Sequence, residues 1–425
     1  MPKRSLEFIG RARELRVLSE FLASPPSSVA AVYGRRRIGK TRLIAQALEL
    51  RRHPSVWFEG LENQSKREQI RNFLFQLSRQ TGTDVTNRKV TAWREAFVLL
   101  CDALQDRPKC IVLDEFQWMA NYRSEIVSDL KMVWDQYLAA IPGMKLIVCG
   151  SIASFMIKKF VKSSAFYGRT DLIVHLKGFD LTETREMLGG RGVDETTEAY
   201  MCVGGIPKYL ELLRGQPSVR LGMDELAFSQ DGYFVGEFDR IFTSHFGRSP
   251  EYRLIVETLA KCPYGLFRAE LAEKAGLDLG GSLSEHLMNL ESAGFISSWI
   301  PLDKGENSRL IRYHLSDAYL RFYFTFIRPS ARKVQSGIQQ GIYVKLSQTG
   351  RFNAWRGRAF EYLCIDHAGR IAEILGFSGI DFVCGPFFRS PKGGQEGVQI
   401  DFVFDRADRV ISLCEAKSSL SPRPQ

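Results

Sequence analysis

The stretch VAAVYGRRRIGKTRLIAQALEL, residues 29–50, decides the fold of the N-terminal part of this chain. It opens with an apolar run that predicts a buried strand, and it closes with residues at helical spacing. Between these two runs GRRRIGKT, residues 34–41, fits the pattern G-x-x-x-x-G-K-[ST] in the strand-to-helix context that the pattern requires. Glycines let the backbone wrap around phosphate, and successive N–H groups at a helix N-terminus bind its negative charge. The sequence therefore predicts a P-loop nucleotide site.

The residues of this loop have separate expected roles. The candidate nucleotide-binding residues are Gly34, Arg35, Arg36, Arg37, Ile38, Gly39, Lys40 and Thr41. We expect Lys40 to reach the β- and γ-phosphates of ATP, and the Thr41 hydroxyl to coordinate Mg²⁺. Three consecutive arginines exceed what phosphate binding requires. One of them is therefore a candidate to sense a neighbouring subunit or DNA.

A second apolar run, CIVLDEF at residues 110–116, contains two acidic residues near its carboxyl end. Asp114 is expected to hold Mg²⁺ or one of its waters, and Glu115 to polarise the water that attacks the phosphate. An isolated acidic pair at a strand end is usually a solvated turn. Because this pair follows a P-loop, and because a pure nucleotide binder has no need of a base there, Glu115 indicates ATP hydrolysis.

Strand-like and helix-like runs alternate through the first 180 residues. Apolar runs at 55–60, 145–151 and 171–176 predict further strands, with amphipathic helices between them. This alternation is typical of an α/β fold in which helices cover a parallel sheet. The predicted domains are a P-loop NTPase core at 1–180, a helical lid at 181–245, a winged helix at 246–330 and a small α/β restriction-endonuclease-like domain at 331–425. A partial capping box at Thr182 is expected to begin the lid.

The composition of the chain indicates which class of partner and which cellular compartment to expect. The 425 residues carry a formal net charge of +10, which favours an anionic partner, with DNA the first candidate; a merely soluble basic protein is the alternative. Eight cysteines without a CxxC pair lie mostly in apolar runs, which is typical of reduced thiols in a cytoplasmic protein. No apolar run reaches the length of about 18 residues that a membrane span needs, so no membrane partner is expected.

Residues 249–330 have the layout of a winged helix, with three short amphipathic helices followed by two β-rich runs. The candidate recognition helix is 281–293, with Leu283, Leu287 and Leu290 packing inward. The side chains expected outward are Ser282, Ser284, Glu285, His286 and Asn289, and those expected on or beside the wing are Lys304, Arg309 and Arg312. Because the helix carries no lysine or arginine, DNA binding and protein binding both remain open for this module.

Asp401 and the run LCEAK at 413–417 fit the D…E-x-K pattern of restriction-type nucleases. Asp401 and Glu415 are expected on adjacent strands as oxygen ligands for Mg²⁺, with Glu361 of a preceding helix as a further acidic ligand. Lys417 lies on the same strand face as Glu415, where it could orient the attacking water. Similar domains continue with another helix and strand, whereas this sequence ends eight residues after Lys417. We therefore expect a truncated or abbreviated domain, which weighs against cleavage.

Six segments together resemble the archaeal-type ATPase family, in the AAA+ and signal-transducing (STAND-like) branch of P-loop ATPases. They are FIGRARELRVL, YGRRRIGKT, LDEFQWM, LIVCGS, YGR at 167–169 and GGIPKYL at 204–210. The resemblance covers nearly the whole chain. The combination of FIGR, GSxxxxM at 150–156 and GGIPKYL is more specific than the P-loop, which many families share. It implies an ATPase joined to a winged helix and a restriction-endonuclease-like, PD-(D/E)xK domain.

The resemblance also implies roles for residues outside the loop. The segment from Phe8 through Ile9 to Arg11 would pack near the adenine, and Pro207 would lie beside the base. Ser151 would contact the γ-phosphate or the attacking water; a plain helix cap is the alternative. Arg169 would act as an arginine finger, which requires self-association if it serves a neighbouring subunit; a surface arginine is the alternative.

Together these features predict an ATP-hydrolysing switch coupled to a DNA-binding module and a metal-dependent nuclease domain, in DNA processing or defence. ATP and Mg²⁺ are the expected cofactors. The alternative is a regulatory ATPase whose C-terminal domains bind DNA or a protein partner without cleavage. A chaperone-like or toxin-regulating ATPase with a protein partner is a third hypothesis.

Overall fold

The chain forms two compact units, Met1–Gly178 and Phe179–Gln425. The first unit ends close to the domain boundary predicted at residue 180. The computed structural model describes residues 7–104, 109–121, 125–163, 165–166, 168–247, 249–301, 310–337, 340–389 and 396–418.

A five-stranded parallel sheet lies at the centre of the first unit, as predicted. Its strands are β1 (Ser28–Tyr33), β2 (Ser55–Glu59), β3 (Cys110–Asp114), β4 (Lys145–Gly150) and β5 (Thr170–His175). Their order in the sheet is β2-β3-β4-β1-β5. The helices of this unit are α1 (Ala12–Ala23), α2 (Lys40–Arg51), α3 (Lys66–Thr81), α4 (Trp93–Leu104), α5 (Phe116–Met119), α6 (Glu125–Val133) and α7 (Ala153–Phe155), with π-helical segments at Trp134–Leu138 and Met156–Val161.

The central strands are buried on both faces. Every residue of β1, β3 and β4 is buried, as expected when helices cover both sides of a parallel sheet. Aromatic side chains fill one of the layers: Phe73 of α3 stacks on Phe58 with ring centroids 4.2 Å apart and meets Trp93 edge-on at 5.7 Å. The carboxyl ends of β3, β4 and β1 therefore lie together at one edge of a well-packed sheet. Open α/β sheets bind their ligands at this edge.

A group of helices begins the second unit. They are α8 (Leu181–Met187), α9 (Val193–Val203), α10 (Pro207–Arg214), α11 (Val219–Phe228) and α12 (Glu237–Phe246). Asp180 caps α8: its side chain accepts from Glu183 N at 2.8 Å, while Glu183 Oε2 accepts from Asp180 N at 3.1 Å. The cap predicted at Thr182 is therefore wrong. The helix starts earlier, with a complete capping box in which Glu183 supplies the acidic partner.

The three helices and the hairpin predicted within 249–330 are all present. They are α13 (Pro250–Ala260), β6 (Leu266–Phe267), α14 (Arg268–Ala275), α15 (Gly281–Ser292), β7 (Ile296–Trp299) and β8 (Arg312–Leu315), and the strands form an antiparallel sheet in the order β6-β8-β7. The predicted inward face of α15 is confirmed, because Leu283, Leu287 and Leu290 are all buried.

Two side chains of α15 do not point freely outward as predicted. Asn289 Nδ2 donates to the Tyr252 hydroxyl at 2.7 Å, and His286 meets the same ring edge-on at 4.5 Å. Tyr252 belongs to α13, so the packing of one helix against another leaves both side chains only half-exposed. Arg312 is also engaged within the fold, with its guanidinium 4.4 Å from the Phe267 ring. The predicted wing residues Lys304 and Arg309 lie outside the described residues.

The rest of the second unit is helical and then antiparallel. Its elements are α16 (Ala318–Phe322), a π-helical segment (Tyr323–Ile327), α17 (Arg328–Ser336), α18 (Ile342–Ser347), α19 (Gly350–Asp366), α20 (Ala368–Ile374), β9 (Phe382–Arg389), β10 (Val398–Arg406) and β11 (Ile411–Cys414), with sheet order β11-β10-β9. The boundary predicted at 331 falls inside α17, because helical residues run without a break from Ala318 to Ser336. Within the described ranges no helix is long and apolar enough to cross a membrane.

Candidate active site at the carboxyl edge of the parallel sheet

The predicted phosphate cradle is the turn between β1 and α2. Gly34 has a φ of 156°, and a Cβ at this position would come within 2.3 Å of the Leu176 carbonyl oxygen. Gly39 has a φ of 94° at the N-cap of α2. Both positions require glycine, the first because another backbone strand passes so close and the second because its φ is positive. The turn therefore presents backbone rather than side chains to a ligand at the start of α2.

Lys40 lies over this turn. The residue is only 5% exposed, and its Nζ donates to the carbonyl oxygens of Gly34 at 3.1 Å and Arg35 at 3.2 Å. Both acceptors are neutral, so an anionic phosphate oxygen is a stronger partner for the ammonium group. Lys40 is thus held where the predicted contact with the phosphates of ATP can form.

The two predicted magnesium ligands are brought together. Thr41 Oγ1 donates to Asp114 Oδ2 at 2.7 Å, and Asp114 Oδ1 accepts from the backbone N of Glu115 at 2.9 Å. Asp114 is almost fully buried at the end of β3. A hydroxyl and a carboxylate in contact beside a phosphate cradle are the hard oxygen donors that suit Mg²⁺.

Glu115 is the next residue and is held in an uncommon conformation. Its φ is +49°, which a side-chain-bearing residue adopts at a cost of roughly 1–3 kcal/mol. Its Oε2 accepts from Ser151 Oγ at 2.7 Å and from Gln117 Nε2. Ser151 directly follows β4, and α7 begins after Ile152 without a side-chain cap. The alternative role of Ser151 as a helix cap is therefore not realised, and its hydroxyl serves Glu115.

Gln117 completes this network and was not singled out from the sequence. It is fully buried on α5, its Nε2 also donates to Ser151 Oγ at 3.0 Å, and its Oε1 accepts from Ser151 N at 3.2 Å. Gly150 allows this close packing, since a Cβ there would lie 2.8 Å from Gln117 Oε1. The sequence signal that could have indicated Gln117 is an uncharged polar residue between Phe116 and Trp118, two positions after the expected base.

Residues 8–213 match the family described as "ATPase domain predominantly from Archaea". This part of the chain is similar to archaeal-type ATPase domains. The match includes the cradle, the Asp114–Glu115 pair and Ser151, and it supports the expectation of an ATPase. It ends before the predicted winged helix and the predicted nuclease-like region.

Individual relatives extend over more of the chain. An uncharacterised protein of Methanocaldococcus jannaschii is 27% identical over 359 residues, which is 83% of this chain and 75% of that protein. The Walker-type ATPase of Pyrococcus abyssi aligns with a TM-score of 0.54 at 21% identity, covering 76% of this chain and 97% of that chain. The ORC2 protein of Aeropyrum pernix, in its ADPNP–ADP complexes, aligns with a TM-score of 0.51 at 16% identity, covering 81% and 98%. These two likenesses concern the fold.

A third carboxylate of the first unit lies at the same edge of the sheet. Glu59 ends β2 and pairs in register with Asp114. Burial raises the pKa of Glu59, and the negative charges of Asp114 and Glu115 raise it further. This cluster of negative charge favours a cation at the sheet edge, and sequence patterns gave no indication of Glu59.

The segment predicted to contact the adenine lies against the cradle. Arg11 Nη2 donates to the Ile38 carbonyl oxygen at 3.3 Å, and Arg42 Nη2 donates to the Glu7 carbonyl oxygen at 3.0 Å. Ile9 is buried and Phe8 is half-buried between these two contacts. Pro207 is the first residue of α10 in the second unit, and its contact with the base remains a prediction.

Arg169 is held by an ion pair of its own chain. Its Nε and Nη2 donate to the two carboxylate oxygens of Asp135 at 2.9 and 3.1 Å. Burial would raise the pKa of Asp135, but hydrogen bonds and positive charge from Lys131 and Arg169 outweigh it and lower the pKa. The finger role remains a prediction, and it requires this bidentate pair to open. Tyr167 of the quoted YGR segment lies outside the described residues.

The nuclease-like residues of the second unit are only partly assembled. Burial and the charge of Asp401 raise the pKa of Glu361 to about 7, so these two carboxyl groups are neighbours. Asp401 Oδ2 accepts from the backbone N of Ala416 at 2.8 Å. Glu415 pairs with Lys417 at 3.1 Å, and both side chains are about 70% exposed. In the part of the chain that the structure describes, no three His, Cys, Asp or Glu side chains are grouped to hold a metal ion.

Proposed function

We propose that the ATPase domain hydrolyses ATP with Glu115 as the general base, and that turnover controls how the second unit engages DNA. The observation that carries the hydrolysis step is the buried network in which Ser151 and Gln117 hold the Glu115 carboxylate. A nucleotide-binding site without turnover does not need a carboxylate held in this way. The network also supports a sensing role for Ser151, because its hydroxyl donates directly to the base.

The residues divide the chemistry among them. Backbone N–H groups of the cradle and the Lys40 ammonium hold the phosphates, and Thr41 and Asp114 would hold Mg²⁺, which would neutralise the negative charge of the phosphates. Glu115 orients the attacking water and accepts its proton. Ser151 and Gln117 keep the acceptor oxygen of Glu115 in place, so little reorganisation is needed when the reaction begins.

Two substitutions test this assignment. Lys40→Ala should abolish binding of ATP, measured by calorimetry, because the ammonium that faces the phosphates is gone. Glu115→Gln should bind ATP with nearly unchanged affinity and lose at least about 100-fold in turnover, in the range known for the loss of a general base. Turnover by Glu115→Gln at the rate of the unsubstituted protein would reject Glu115 as the base.

The DNA part of the proposal rests on a basic groove in the second unit, defined by Lys261, Arg321, Arg351 and Arg358. The groove has a volume of about 1070 Å³ including its open mouth, and its lining contains no acidic residue among those described. Arg351 and Arg358 of α19 are exposed. Such a concentration of positive charge suits a phosphate backbone, whereas the exposed face of α15 carries no lysine or arginine.

Removing two charges of the groove tests this part. Arg351→Ala with Arg358→Ala should weaken binding of duplex DNA, and the slope of log affinity against log salt should become shallower by about two units. Arg370→Ala, whose side chain is 71% exposed on α20, is the matched control and should bind as the unsubstituted protein does. Fluorescence anisotropy measures both quantities. Equal salt slopes for the double variant and the control would place the DNA contact elsewhere.

A metal-dependent nuclease activity is the second candidate, favoured by the neighbouring carboxyl groups of Glu361 and Asp401. Cleavage of plasmid DNA with Mg²⁺ or Mn²⁺ should then be lost in Asp401→Ala and in Lys417→Ala. Cleavage that persists in both variants would come from another site or a contaminant. Absence of cleavage in the unsubstituted protein, with and without ATP, would favour the regulatory ATPase that binds DNA or a protein partner without cutting.

A further inference from the structure

A second cavity, the aromatic pocket, adjoins the basic groove. It has a volume of about 720 Å³ including its mouth, and it lies between the β6–β8 region and strands β9 and β10. Arg358 and Tyr362 line both cavities. A ligand whose charged part lies in the basic groove can therefore place a neighbouring group in the pocket.

One wall of the pocket consists of flat aromatic surfaces. Tyr264 and Phe388 stack nearly parallel, with ring centroids 5.5 Å apart and an interplanar angle of 14°. They are 42% and 45% exposed, which is unusual for large apolar side chains in contact with each other. Trp299 adds a third ring and packs edge-on against His314 at 4.6 Å. Exposed aromatic rings beside cationic groups are the usual surface for stacking an unpaired base.

The opposite part of the pocket is polar. Gln399, Glu361 and Asp401 line it, and Gln399 Oε1 accepts from the Tyr264 hydroxyl at 3.4 Å. Carboxylate and amide oxygens accept hydrogen bonds from exocyclic amino groups, as on cytosine N4 and adenine N6. Thymine has a carbonyl oxygen at the corresponding position and would place two acceptors against each other. The pocket therefore favours bases that carry an amino group.

Positive charge completes the site. Arg358 and Arg312 also line the pocket, and Arg312 is fixed there by donating to the carbonyl oxygens of Tyr264 at 3.0 Å and Gly265 at 3.1 Å. A peptide offers no regular negative charge to these arginines and to the groove beyond them. A nucleic-acid strand offers one phosphate per nucleotide, spaced along the same path as its bases.

We propose that the aromatic pocket binds one unpaired, amino-bearing base of single-stranded DNA whose backbone lies in the adjoining basic groove. This inference rests on the proposed DNA-binding function and specifies its substrate as single-stranded DNA or an unpaired end. The base stacks on Tyr264 and Phe388, while the Asp401 carboxylate accepts from its amino group.

The test measures binding of fluorescein-labelled oligo-dC, oligo-dA and oligo-dT to the full chain in EDTA, where metal-dependent cleavage cannot occur. The unsubstituted protein should bind oligo-dC and oligo-dA more tightly than oligo-dT. Tyr264→Leu and Phe388→Leu should each weaken binding of oligo-dC about tenfold, as expected for the loss of one stacked base. The matched control is Phe75→Leu, an exposed phenylalanine of α3 in the other unit, which should leave all affinities unchanged.

Two further measurements separate the outcomes. Turnover of ATP and the melting temperature should be unchanged in all three variants, which excludes unfolding as the cause of weaker binding. Binding of duplex DNA should also be retained in these variants. If duplex DNA binds but Tyr264→Leu and Phe388→Leu bind oligo-dC as tightly as the control does, the pocket proposal is overturned and the DNA function stands. If oligo-dT binds as tightly as oligo-dC, recognition of the amino group is wrong. If no DNA binds, both proposals fail.

Discussion

Gln117→Leu is the substitution that best separates positioning of the base from binding of the nucleotide. Leucine is apolar and of similar size, so α5 can keep its packing while the amide is lost. The change removes the bond from Gln117 Nε2 to Glu115 Oε2 and the bonds at 3.0 and 3.2 Å to Ser151. Among the described residues, the Glu115 carboxylate then keeps the hydrogen bond from Ser151 Oγ, at 2.7 Å. The carboxylate can rotate away from the position in which it accepts the proton.

The expected size of the effect follows from the number and kind of bonds. A hydrogen bond to a charged group contributes about 1.5–3 kcal/mol, and a neutral one about 1 kcal/mol. If the bond to Glu115 matters mainly in the transition state, its loss lowers kcat about 10- to 100-fold, at about 1.36 kcal/mol per factor of ten. KM for ATP should change less than about threefold, because the side-chain hydrogen bonds of Gln117 go to Glu115 and Ser151 and not to the phosphate cradle. Such a split between kcat and KM identifies a positioning residue.

The assay is steady-state release of phosphate with varied ATP, together with calorimetric binding of a non-hydrolysable analogue. Gln69→Leu is the matched control, because Gln69 is also a buried glutamine but bonds to the backbone of Leu61. It should lose a similar amount of stability and keep its turnover. If both variants lose turnover in proportion to stability, Gln117 acts only through the fold. If Gln117→Leu keeps its kcat, the buried network does not position the base.

Two further predictions concern the other unusual groups. Since the pKa of Glu361 is raised to about 7, the folded state binds this proton more tightly than the unfolded state does. The free energy of unfolding should therefore fall as pH rises from about 5 to 8. Glu361→Gln should flatten this pH dependence in urea titrations, and an unchanged dependence would contradict the assignment. Asp135→Asn should release Arg169 from its ion pair. If Arg169 acts on a neighbouring subunit, Arg169→Ala mixed with Lys40→Ala should regain turnover that neither shows alone, and absence of rescue would exclude action in trans.

The parallel sheet and the phosphate cradle could be predicted because their signals are local. Eight consecutive residues define the loop, and the strand before it and the helix after it are visible in the same stretch. Asp114 and Glu115 follow in the same way from one apolar run. Each assignment needs only the chain direction and the rule that parallel strands present their carboxyl ends at one edge.

The errors and omissions arise where distant segments pack together. Asn289 has the spacing of an outward residue on α15, but Tyr252 of α13 captures its amide. Arg169 forms an ion pair with Asp135 that no local sequence pattern indicates, while its role as a finger stays a prediction. Gln117 lies two residues after Glu115 and was still missed, because its role depends on Ser151 at the end of another strand.

The order of the strands bears on the proposed sensing role of Ser151. Strand β4 lies between β3, which ends in Asp114, and β1, which leads into the cradle. Ser151 follows β4, so it lies along the sheet edge between the cradle and Glu115, the proposed base. Its hydroxyl and backbone N are both engaged, with Glu115 and with Gln117. Because hydroxyl hydrogen bonds can rotate, a γ-phosphate that attracts the Ser151 hydroxyl would take a donor away from Glu115 and leave Gln117 as its support.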